Sequence, residues 1–248
     1  MEEKAKKVIG RINEAISNLK NKKFTIYFFV IDTKGSPNGS TQYIYEMAKQ
    51  LQDINYNVVI LHQESKKEFV GVRNWMGNEY ADLKHECIES EDVKVSTSDF
   101  LIIPEVFANV MSQVKELPCK RIILCQNVNY ITEFIPIGMS WENYNISDVI
   151  TTTELQANDI KSLFPNMNVN VINPGIRDFF RDDNSPKKLM VTMMVKDESI
   201  VKKIVKQFHW KFPSLRWVTF TDPRGLSKEE FADTLRESAI TVWADDET

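Results

Sequence analysis

The chain has 248 residues, 42% of them hydrophobic and 27% charged, the balance of a folded protein with a sizeable core and not of a disordered one. Lys plus Arg number 31 and Asp plus Glu 35, a formal charge of -4, which gives no long-range attraction to nucleic acid or to an acidic membrane. No stretch approaches the roughly 18 to 20 apolar residues of a membrane span, and the charged start Met1-Glu2-Glu3-Lys4 does not read as a secretory signal. Three widely spaced cysteines, Cys87, Cys119 and Cys125, read as reduced thiols in a cytoplasmic protein. His62, His85 and His209 have no ligand spacing, so no metal site is expected.

Apolar residues from Ala5 to Leu19 recur at helical spacing, which predicts an amphipathic helix over 3–20 as a separate N-terminal element, residues 1–22. Phe24 to Ile31 is a nearly continuous apolar and β-branched run, as in a strand covered on both faces. A glycine loop, Gly35 to Ser40, then leads into a helix through Tyr43, Ile44, Met47, Ala48 and Leu51, and Asn57 to His62 is the next strand. Between residues 64 and 98 no clean period emerges. Beyond it come strand Phe100 to Ile103, helix Val106 to Val114, strand Arg121 to Cys125, strand Val149 to Thr152, helix Glu154 to Leu163 and strand Val169 to Ile172. The polar stretch Arg177 to Lys188 reads as a linker. Strand Leu189 to Val195 and helix 197–209 follow it, then strand Trp217 to Phe220, helix 227–237 and strand Ala239 to Trp243. Strands alternating with helices predict an α/β protein: a doubly wound, Rossmann-like parallel sheet over 23–180 and an incomplete second Rossmann-like domain over 187–248.

In such sheets ligands gather at the carboxyl ends of the strands. Gly35 and Gly39 would let the first loop approach a phosphate or sugar oxygen, with Ser40 adding a hydroxyl, although the spacing matches neither a dinucleotide fingerprint nor a Walker loop. The same residues are also explained by a turn with an N-cap from Asn38 or Ser40. Gln126-Asn127-Val128-Asn129-Tyr130 reads as a polar loop whose amides suit sugar hydroxyls, with Glu105 the nearest carboxylate. In the second segment Lys196 precedes a helix N-terminus, a pairing suited to a diphosphate, although it lies in a lysine-rich stretch.

Val171-Ile172-Asn173-Pro174-Gly175-Ile176, followed by Phe179-Phe180, resembles the handover between domains in GT-B glycosyltransferases of the large retaining group that includes sucrose and glycogen synthases. Asp148 to Glu154 and the Gly35 to Ser40 loop resemble further elements of that family. Arg177 departs from the family's aspartate, and Asp197 stands where a second cation for the diphosphate is expected. The chain ends in Asp245-Asp246-Glu247-Thr248 where the family's paired glutamates open, so the resemblance implies a donor domain shortened in this sequence.

The resemblance implies a hexosyltransferase that moves a sugar from a nucleoside diphosphate sugar to an acceptor hydroxyl, with no cofactor or metal. Lys196, Gly35, Gly39 and Ser40 would serve the donor, and Asn127, Asn129, Tyr130 and Glu105 the acceptor or sugar. The exposed edge of a shortened donor sheet is an expected homo-oligomer contact. The rival expectation is a non-catalytic module that binds a sugar, a nucleotide or a protein.

Overall fold

The computed structural model describes residues 24–30, 38–63, 80–88, 93–195 and 197–244. The expected helix over 3–20, Gly35 and Lys196 lie outside the described residues. The chain divides into two compact units after Pro174.

The first unit is built on β1 (Thr25–Val30), α1 (Gly39–Asp53), β2 (Asn57–His62), β3 (Lys84–Cys87), β4 (Phe100–Pro104), α2 (Ala108–Gln113) and β5 (Lys120–Cys125). It continues with α3 (Asn129–Phe134), a 3-10 turn at Trp141–Tyr144, β6 (Asp148–Thr151), α4 (Glu154–Leu163) and β7 (Asn168–Val171). All seven strands are parallel, in the order β3-β2-β1-β4-β5-β6-β7. The chain therefore winds outward from β1 to β3, crosses back over β1, and winds the other way from β4 to β7. The reversal lies between β1 and β4, and in doubly wound sheets that is where a crevice opens at the carboxyl ends.

The apolar run of β1 is explained by cover on both faces, because successive side chains of a strand alternate. Ile26, Phe28 and Val30 pack with Val58, Ile60, Ile102 and Leu124 under Ile44, Tyr45 and Ala48 of α1. Tyr27 and Phe29 join Leu61, Leu101, Ile103 and Ile123 on the opposite face, beneath Val110 and Met111 of α2 and Ile160 of α4. Phe28 and Phe29 are fully buried, each stabilising the fold by about 1.5–3 kcal/mol relative to an exposed ring. Asn38 caps α1, its Oδ1 accepting from the Thr41 N–H at 2.9 Å. The cap expected from Asn38 or Ser40 is thus supplied by Asn38.

One strand and one α-helix are absent from the sequence-based expectation. β3 falls inside the stretch without a period, because Lys84-His85-Glu86-Cys87 contains no aliphatic residue. Its His85 and Glu86 are nevertheless buried beside β2, with His62 Nε2 and His85 Nδ1 2.9 Å apart and in hydrogen-bond contact. Asn129 and Tyr130, expected in a loop, begin the six-residue helix α3, where the Tyr130 N–H reaches the Asn127 carbonyl at 3.2 Å.

The second unit contains β8 (Lys188–Val195), α5 (Glu198–Lys211), a 3-10 turn at Pro213–Leu215, β9 (Thr219–Thr221), α6 (Lys228–Glu237) and β10 (Ser238–Ala244). Its sheet has three parallel strands in the order β10-β8-β9. Val191, Met193 and Val195 form a small core with half-buried residues of α5 and of the flanking strands. Ser227 and Glu230 close a reciprocal capping box at the start of α6. The stretch expected as a linker is fastened within this unit, since Arg236 Nη2 donates to the Phe179 carbonyl at 2.6 Å and its Nε to the Arg181 carbonyl at 3.2 Å.

Candidate functional site

At the carboxyl ends of β4, β5 and β6 the first unit gathers a connected set of polar groups. Glu105 follows β4 directly, and its N–H donates to the Leu124 carbonyl at 3.2 Å, which extends the pairing with β5 by one residue before the chain turns at Glu105 and Val106. Its side chain is only 3% exposed, and Oε1 accepts from the Asn127 N–H at 2.9 Å. Burial pushes this carboxyl above the ordinary carboxylate range, against the opposing pull of the backbone N–H groups of Glu105, Asn127 and Gln126. Burial, with the charge of Glu105 added, also pushes the neighbouring Cys125 thiol far up, so this thiol is not a nucleophile at neutral pH. Glu105, expected as an acceptor or sugar contact, is buried and bonded to the backbone of the β5 loop.

The loop itself is held at several atoms in succession. Asn127 Oδ1 accepts from the Asn129 N–H at 3.0 Å, a local turn that occupies the Asn127 side-chain oxygen. Gln126 Nε2 donates to the Ser40 carbonyl at 3.3 Å, linking the loop to the first turn of α1. Asn129 stands exposed, while the half-buried Tyr130 ring makes an edge contact with Phe134 at 5.8 Å between centroids. The structure thus brings Ser40, Glu105, Asn127, Asn129 and Tyr130 to one end of the sheet. Gly39 lies there too, in the first turn of α1 and exposed. A Cβ built on it meets nothing within 4 Å, so the described structure does not itself require glycine at that position.

Residues outside that loop complete the set, among them Gln156, which the sequence motifs above do not include. Gln156, on α4, donates from Nε2 to the Gln126 carbonyl at 2.9 Å and accepts at Oε1 from the hydroxyls of Thr151 at 2.7 Å and Thr152 at 2.9 Å. Asn173 Nδ2 donates to the Thr152 carbonyl at 3.0 Å, and the Tyr43 hydroxyl donates to the Ile172 carbonyl at 2.8 Å. A signal for Gln156 was present: Thr153-Glu154-Leu155-Gln156 fits the Ser/Thr-x-x-Glu/Gln pattern of a helix start. Thr153 does cap α4, accepting from the Gln156 N–H at 3.2 Å.

In the second unit the N-terminus of α5 carries its own anion. Asp197 Oδ1 accepts from the Ser199 N–H at 2.6 Å and Oδ2 from the Ser199 hydroxyl at 2.9 Å. The Ser199 backbone and hydroxyl bonds hold this carboxyl below its usual range. Glu198 adds a second carboxylate to the first turn. Nearby Arg224 is engaged by Asp222, with Nε at 2.7 Å from Oδ2, and lies 3.9 Å from Glu198. A diphosphate arriving here would meet these carboxylates before it met the helix N–H groups.

No family profile matches the chain, and no curated protein matches it. Among solved structures, the crystal structure of a glycosyltransferase from Rickettsia africae ESF-5 aligns with a TM-score of 0.45 and 14% identity, over 89% of this chain and 72% of that one. The parallel sheets described above establish a Rossmann-like α/β fold.

Proposed function

We propose that the chain is a glycosyltransferase of GT-B type, binding a nucleoside diphosphate sugar and an acceptor hydroxyl. The observation that carries this reading is the amide-rich β5 loop, held by hydrogen bonds at the carboxyl end of a doubly wound sheet and followed in the same chain by a second parallel β/α unit. Amide and phenol groups there suit a ligand with many hydroxyls, because each can match both donors and acceptors. In transfer, the bond from the anomeric carbon to the diphosphate breaks as the acceptor oxygen bonds to that carbon, and the acceptor's proton leaves with the nucleoside diphosphate. The protein's share would be to hold the two oxygens in place and to balance the developing diphosphate charge.

The acidic start of α5 favours a second reading, in which the fold binds a sugar or nucleotide without transfer. Calorimetric titration with a panel of sugar nucleotides, beside a donor-hydrolysis assay, separates the two. Binding with turnover supports the transferase and binding without turnover supports the module. Absence of binding across the panel rejects both.

A further inference from the structure

We propose that Gln156 is the positioning residue of this site, holding the β5 loop in the shape that meets a polyhydroxylated ligand without touching the ligand itself. The proposal rests on the reading of the β5 loop as the sugar contact.

The geometry makes the point by what Gln156 forgoes. At the third position of a helix capped by threonine, a glutamine ordinarily reaches back to the N–H of the cap. Here the backbone half of that arrangement is present, since Thr153 Oγ1 accepts from the Gln156 N–H at 3.2 Å. The side chain turns away and spans 30 residues of sequence to the Gln126 carbonyl at 2.9 Å. Its oxygen is fixed meanwhile by two hydroxyls, Thr151 at 2.7 Å and Thr152 at 2.9 Å, so the amide plane is oriented and the N–H is aimed. Gln126 is the first residue beyond β5, and the next one, Asn127, donates its N–H to the Glu105 carboxylate. Gln156 and Glu105 thus grip the single peptide group between Gln126 and Asn127, one at its carbonyl and one at its N–H, and leave Asn129 exposed just beyond it. Fixing a loop before the ligand arrives removes ordering entropy from the binding step.

Gln156→Glu isolates the aimed donor, because an ionised carboxylate still accepts from Thr151 and Thr152 but has no hydrogen to give Gln126. Thr152→Val is the companion variant, loosening the orientation while keeping the donor. The measurements are amide hydrogen exchange at Asn127 and Asn129, the thermal midpoint, and calorimetric binding of UDP-glucose, GDP-mannose and maltose. Expected for Gln156→Glu is faster exchange at both amides and up to about tenfold weaker binding of whichever probe the wild type takes, the scale of one lost hydrogen bond. Thr152→Val should fall between that variant and the wild type. A residue serving only as structural support would lower the midpoint and leave affinity unchanged, and that result overturns the proposal, as does unchanged exchange. A wild-type chain that binds none of the probes overturns the proposed function and the ligand-positioning role with it; the exchange data then show whether Gln156 still holds the loop.

Discussion

The seven-stranded and three-stranded sheets obey the same parallel β/α rule and differ in how much they bury. β1 keeps Phe28, Phe29 and Val30 fully from solvent between helices on both faces. In the smaller unit α5 has no fully buried residue, and Trp243 on β10 and Trp210 on α5 remain 68% and 84% exposed. Stability scales with the apolar area removed from water, so the first unit should be the rigid one and the second marginal alone. A site that depends on aimed hydrogen bonds belongs on the rigid scaffold, and the connected polar set indeed lies on the larger sheet.

The strongest way to break this contrast is a cavity in the larger core. Phe29→Ala, which also removes the edge contact with Phe107 at 4.6 Å, should cost about 3–5 kcal/mol. Its effect should appear in the higher-melting of two calorimetric transitions. A single shared transition would show that the two units unfold together. Ser227→Ala, which removes half of the α6 capping box, should cost about 1 kcal/mol and move only the lower transition.

Glu105 sharpens the comparison through pH. Burial raises its folded-state pKa, so the stability it contributes is complete below the unfolded value of roughly 4.3 and is lost as pH rises through the folded value. Glu105→Gln removes that loss, and its urea midpoint relative to wild type should climb between pH 4 and pH 7. A constant difference across that range would contradict the assignment. The smallest effect is expected at the exposed face of β10, where Trp243→Lys should change stability by under about 0.5 kcal/mol. If that edge pairs with a second copy, the same variant should lower the sedimentation coefficient at high concentration, whereas an unchanged coefficient would reject the contact.

Much of the fold is legible in the sequence where burial is two-sided. Asn57 to His62 reads directly as a strand and Glu154 to Leu163 directly as a helix, because their apolar spacing follows the local period. β3 is not legible, since a His-Glu pair becomes strand only when β2 supplies its ladder and His62 its side-chain partner. α2 is shorter than Val106 to Val114 because Glu105 and Val106 form the turn that brings the carboxylate under the β5 loop. Of the site, the position of the amide-rich loop was readable from its place after an apolar strand. The inward turn of Glu105 and the reach of Gln156 were not.

By itself the sequence determined the class of structure, two successive parallel β/α segments, because period and apolar run length report which faces of each element are buried. The tertiary structure decided which polar groups support the loop and which stand free of it. Asn127 and Glu105 are 22 residues apart and Gln126 and Gln156 are 30 apart, and no local pattern encodes a hydrogen bond that exists only once the strands lie side by side.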